Sequence, residues 1–143
     1  MTRIKLNFPE KVIFSTSIPV RISDINYGGH VGNDSVLNIA HEARIRFLNS
    51  LGYSETDIEG MSIIMTDAVI NYKNQGYYGD ILKIDVSAND IKNNGFDLYY
   101  KMTNEKTGIE IARVKTGIAF FDYTQRKTVR IPEAFKNRVE EIS

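Results

Sequence analysis

The sequence predicts an α+β fold in which one long helix packs against a single antiparallel sheet. Three observations predict it. Only one long segment, from about Asp34 to Leu51, carries apolar residues at helical spacing over several turns. Nearly everything after residue 60 reads as strand, cut by tight turns. No repeat, low-complexity tract or linker divides the 143 residues, so residues 1–143 are expected to form one domain with its own core.

The first element is a strand over roughly Lys11 to Ser23, where Val12, Phe14, Ile18, Val20 and Ile22 recur at even spacing on one face of a pleat. Pro19 inside it suggests an edge strand or a bulge. The segment Asp24-Ile-Asn-Tyr-Gly-Gly-His30 must be a loop. Asn33 or Asp34 is expected to cap the helix that follows, with Val36, Ile39, Ala40, Ala43, Phe47 and Leu51 as its apolar stripe and Gly52 as its stop. Ser62 to Tyr72 is the second strand, and Ile81 to Lys92 the third. Asn93-Asn94-Gly95 makes a hairpin turn into Phe96 to Asn104. Glu105 to Gly108 turns into the last long strand, Ile109 to Tyr123, and a short helix starts near Pro132. One helix covers one face of such a sheet, so the other face or an edge strand favours burial against a second subunit.

Composition narrows the function. Lysine plus arginine and aspartate plus glutamate number 18 each, so no net field draws the chain to nucleic acid or an anionic membrane. With no cysteine, disulfides, thiolate metal sites and a cysteine nucleophile are excluded. The start MTRIKLNFPE lacks the apolar run of a signal peptide, and no stretch reaches the ~18 apolar residues of a membrane span, so a cytoplasmic protein is expected. His41-Glu42 opens like a zinc-protease helix, but Ile45 stands where the second histidine belongs. With only His30 and His41 in the chain, neither a metal nor any other cofactor is expected.

The chemistry therefore points to the loop before the helix. Gly28 and Gly29 let the backbone turn sharply and approach a ligand. The first amides of the helix are donors without helical partners, suited to a developing oxyanion. Asp24, Asn26, His30 and, further along the helix, Glu42 are the nearby polar side chains. Each also has a plainer reading: Asp24 and Asn26 as turn residues, His30 as a buried structural ring, and Glu42 as the partner of Arg46 four residues on. His41, on the opposite flank, is expected to be structural, and the aromatics from Tyr72 to Phe121 core or subunit contacts.

The run Ser23-Asp-Ile-Asn-Tyr-Gly-Gly-His-Val-Gly-Asn33, with Glu42-Ala-Arg44 and the later Gly79-Asp80, resembles the hot-dog thioesterase family. It is most similar to its 4-hydroxybenzoyl-CoA and acyl-carrier-protein thioesterase branches, from about Val12 to Pro132. The resemblance implies a hot-dog fold, a five-stranded antiparallel sheet wrapped around the central helix. It also implies a homodimer or homotetramer whose sheets join, with a thioester site at the dimer interface. The expected substrate is an acyl-CoA or acyl-carrier thioester.

On matching positions, the resemblance puts Asn26 where many members carry the catalytic aspartate, His30 on the histidine of the acyl-carrier-protein branch and Glu42 on that branch's helix glutamate. Gly28 stands where one branch has asparagine. Gly28, Gly29 and Asn33 are expected to line the substrate. An amide can be neither general base nor nucleophile. The expectation is that Asn26 orients substrate or water and that amides near Gly29 and His30 polarise the carbonyl. Glu42 or Asp24 would activate water, and His30 would donate to the leaving thiolate or the oxyanion. Arg113 with Lys115, or Arg126, Lys127 and Arg130, could meet coenzyme A phosphates or simply be solvated. A non-catalytic acyl-CoA-binding protein and a hydratase or dehydratase are the competing readings.

Overall fold

The computed structural model describes residues 4–143. Strand β1 (Phe14–Pro19) leads through a 3-10 turn (Ile22–Asp24) and the loop to helix α1 (Asn33–Ser50). Strands β2 (Ser62–Tyr72), β3 (Ile81–Asn89), β4 (Gly95–Asn104) and β5 (Glu110–Asp122) follow, then a two-residue strand β6 (Lys127–Thr128) and helix α2 (Glu133–Ile142). The sheet runs β1-β3-β4-β5-β2, with β6 on β5, and every pairing is antiparallel. This is the expected helix-wrapping sheet with one short strand added.

Burial follows the alternation of the sequence. Leu82, Ile84 and Val86 of β3, Phe96, Leu98, Tyr100 and Met102 of β4, and Ala112 and Val114 of β5 are buried. They join Val36, Ile39, Ala40, Ala43, Phe47 and Leu48 of α1 in one cluster. The first strand is shorter than its even spacing suggests. Val12 and Ile22 are exposed at 44% and 74%, because the chain leaves the sheet before and after Phe14–Pro19. Pro19 does sit on an edge strand, where its missing N–H breaks no ladder.

One correction concerns the start of α1. Its N-cap is Gly32, and no side chain caps it. Asn33 and Asp34 therefore lie inside the first turn, exposed, rather than capping it. At the other end Gly52, with φ 84°, stops the helix as expected.

β4 and β5 approach closely at the start of β4, where Gly95 pairs with Ala119 toward the end of β5. A Cβ on Gly95 would stand 1.9 Å from the carbonyl oxygen of Ile118, a backbone atom that cannot swing aside. Gly95→Ala is expected to destabilise the protein by about 2 kcal/mol, measured by urea unfolding. A variant as stable as wild type would mean that the two strands can part here without loss.

The connection from β2 to β3 crosses the end of the sheet and fixes the functional loop. The Val31 amide donates to Gly76 O at 2.8 Å, and the Val20 amide to Asp80 O at 2.8 Å. Beyond it, the N-terminal segment is tied down by a Leu6 amide donating to Asn71 Oδ1 (2.7 Å) and by Asn71 Nδ2 donating to Ile4 O (2.8 Å).

Candidate active site

The loop between the 3-10 turn and α1 is a closed unit. Ile25 and Val31 bridge its base, the Asn26 amide donates to His30 O (2.9 Å), and the Gly29 amide donates to Asn26 O (3.1 Å). Gly29 has φ 78°, a left-handed conformation that glycine adopts without strain. Asn26 Oδ1 accepts the Gly28 amide at 2.9 Å, an Asx turn that fixes the carboxamide. Its Nδ2 is thereby turned toward Gly32.

The expected carbonyl-polarising amides are thus redistributed. The amides of Gly28 and Gly29 are consumed inside the loop. Among the described residues, those of His30 and of Asn33 and Asp34 in the uncapped first turn of α1 carry no acceptor. These are free to meet a ligand, and the helix adds its positive N-terminal field.

His30 is half-buried, with Nδ1 3.4 Å from Val31 O. A Cβ on Gly28 would lie 2.9 Å from His30 Nε2 and 3.4 Å from Asn26 Oδ1, so the bare backbone of Gly28 is what lets ring and carboxamide converge. Asn26 also lines a cleft of about 330 Å³, together with Ser23, Asp24, Ile25, Tyr27, Gly32, Asp34 and Ser35. Tyr27 stands fully exposed at its rim.

Asp24 and Glu42 are not brought together with the loop in the way expected of a base. Asp24 is 4% exposed, and its Oδ2 accepts the Arg21 amide at 2.8 Å while its carbonyl accepts the Gly32 amide at 3.0 Å. It braces the two ends of the loop. Glu42 is exposed and paired with Arg46 Nε at 2.9 Å, and Arg46 in turn donates to Thr16 Oγ1 and Ser17 O on β1. Glu42 lines a separate groove with Ile18, Pro19, Arg21, Asn38, Ile39 and Arg46.

Two residues of this region escaped the sequence reading as site residues. Asp34 lines the cleft beside Asn26, and Gly32 leaves it the space to do so. The signal was the acidic residue in the first helical turn, which reads equally well as a cap. Nearby, burial and then the charge of Asp34 push the Tyr72 phenol up. Of the basic groups, Arg113 is held by Glu110, and Lys115 by Asp67 and Asp97, whereas Arg126, Lys127 and Arg130 are exposed.

Residues 20–139 match the thioesterase-like superfamily. The chain belongs to that superfamily. By class it is a thioester hydrolase. A 1,4-dihydroxy-2-naphthoyl-CoA hydrolase of Microcystis aeruginosa is 27% identical over 121 residues, spanning 82% of this chain and 86% of that protein. Among solved structures, a 1,4-dihydroxy-2-naphthoyl-CoA thioesterase from Synechocystis superposes with TM-score 0.82 at 20% identity, covering 90% of this chain and 96% of that one. A protein from Bacillus stearothermophilus, named a predicted thioesterase, gives 0.79 at 20% identity, covering 90% and 94%. The two structures establish the fold of this thioesterase-family chain and nothing finer.

Proposed function

We propose that this protein hydrolyses an acyl-CoA thioester to free acid and coenzyme A in the cleft between the Asn26 loop and the start of α1. One observation carries the reading: amides without acceptors, at an uncapped helix N-terminus, stand beside that cleft. A thioester oxygen seated against them would be stabilised as negative charge develops on it. Asn26 Nδ2 orients the attacking water, and His30 donates to the leaving sulfur. Family membership and the naphthoyl-CoA hydrolase relative support a coenzyme A thioester and place an aromatic acyl group among the first substrates to try.

The working unit is a homodimer, with the thioester site at its interface. β2 is an edge strand of 11 residues; its Ile63 amide donates outward to Glu55 O (3.0 Å), no strand pairs on that side among the described residues, and Met65 to Ala68 are exposed along it. A second copy pairing there would extend the sheet and remove the edge. Sedimentation should give twice the chain mass; a monomer at micromolar concentration would sink this part.

The test of activity is thiol release from short, long and aromatic acyl-CoAs, comparing wild type with His30→Ala and Asn26→Asp. Wild type is expected to turn over at least one of them, with His30→Ala slower by about 100-fold. Tight binding without turnover in wild type, with hydrolysis gained by Asn26→Asp, would replace the hydrolase by a binding protein built on the same site.

A further inference from the structure

An amide at position 26 leaves the hydrolytic site without its base, and the two carboxylates expected to supply one are occupied. Asp24 is buried and holds the Arg21 amide, and Glu42 is paired with Arg46 in another groove. Of the two carboxylates that line the cleft, Asp34 alone has no hydrogen-bond or ion-pair partner among the described residues. Its side chain folds back over the start of the helix. A Cβ on Gly32 would stand 2.9 Å from Asp34 Oδ1, 3.5 Å from Asn26 Cβ and 3.9 Å from Asn26 Nδ2. The carboxylate and the carboxamide therefore border the same bare patch of backbone, and any side chain at position 32 would wedge into it.

We infer that Asp34 is the general base of this protein, working with Asn26 across Gly32 in place of a single loop carboxylate. The inference rests on the hydrolase reading given above and names the residue that reading lacks. A water held by Asn26 Nδ2 and Asp34 gives one proton to the carboxylate as its oxygen bonds to the thioester carbon. The carbonyl electron pair moves onto oxygen, against the free amides of α1. The carbonyl then re-forms and the C–S bond breaks. The sulfur takes a proton from His30, and the proton on Asp34 passes through solvent to replace it. One thioester and one water become one acid and one thiol.

The geometry also explains why the carboxylate can be displaced by eight positions without losing its place in the site. Asn26 and Asp34 are far apart along the chain, but the Ile25–Val31 bridge and the Gly32 amide bound to Asp24 O (3.0 Å) fold the loop back so that its first half faces the first turn of the helix. A base on the helix is also carried by a rigid element rather than by the loop itself.

The test uses the full-length protein and the acyl-CoA that wild type turns over best. Asp34→Asn, which preserves shape and removes only basicity, is expected to lower kcat by at least about 100-fold with KM within about 3-fold and an unchanged melting temperature. Asp34→Glu should recover part of kcat. Binding of a non-hydrolysable thioether analogue should survive in Asp34→Asn. Turnover above a tenth of wild type in a folded Asp34→Asn overturns the assignment while leaving the hydrolase reading intact. So does loss of turnover in Glu42→Gln with Asp34→Asn active. If wild type turns over no member of the panel, the hydrolase reading fails and the role of Asp34 fails with it, a result visible before any variant is made.

Discussion

Phe135→Ala is expected to destabilise the protein by about 4 kcal/mol and to release the C-terminal helix. Phe135 is fully buried, and its ring lies 5.4 Å from those of both Phe96 and Phe120 and 5.7 Å from Tyr53. It is where α2 meets β4, β5 and the turn after α1. Aromatic pairs at these separations contribute beyond their buried area. α2 has ten residues, too few to persist as a helix without packing. It is held otherwise by buried Val139 and by Arg138, which donates to Leu51 O and lies over the Tyr53 ring. Chemical unfolding monitored by circular dichroism checks it. A loss below about 1 kcal/mol would mean that the site collapses around the smaller side chain and that α2 contributes little to the core.

The second large effect is expected at Arg44. This guanidinium is 6% exposed, yet it sits on the apolar stripe of α1. It donates from Nε to Glu55 Oε2 at 2.7 Å and from Nη1 to Tyr100 Oη at 3.2 Å, and Tyr100 shares a 2.9 Å hydrogen bond with Thr116. His41 Nε2 meets the other oxygen of Glu55 at 2.7 Å. Burial alone would lower Arg44, but Tyr100 and Glu55 hold it above its ordinary value. Burial alone would raise Glu55, but the hydrogen bonds from Arg44 and His41 hold it below its own. Arg44→Met removes the charge and strands Glu55. The expected loss is about 3 kcal/mol, a fall of about 10 °C in melting temperature.

The same pair predicts a pH dependence. Glu55 is lower in the folded state than in the unfolded chain, so its contribution is fully present above the ordinary value of 4.5. It is lost as pH falls through the depressed folded value. The stability gap between wild type and Arg44→Met should therefore be constant from pH 7 to about pH 5 and narrow below pH 4.5. A gap that persists unchanged at pH 3 would assign the loss to packing of the arginine stem rather than to the ion pair.

The periodicity of α1 and of the strands was legible in the sequence because burial alone sets it. Ile39, Ala40, Ala43 and Phe47 could only be one buried stripe, and Phe96, Leu98, Tyr100 and Met102 only one buried face. The loop was legible as a candidate site because Asn26 and His30 flank two glycines that run into a helix, a pattern that reads equally as a structural turn. Arg44 was not, since a charged residue on an apolar stripe looks like an error until Glu55 and Tyr100, 11 and 56 residues away, close around it.

What the sequence determined by itself was the order of elements, the face each one buries and the loop that carries the polar groups, all local or periodic properties. What only the tertiary structure decided was which polar groups are free. Glu42 and Asp34 are carboxylates of the same helix, and the sequence already offers Glu42 a partner in Arg46 four residues on. The fold adds the rest, by anchoring Arg46 to β1 through Thr16 and by closing the Asn26 loop over Gly32 beside Asp34. Whether a carboxylate keeps its partner depends on what holds that partner, and Arg46 is held by Thr16 and Ser17, 30 and 29 residues away along the chain.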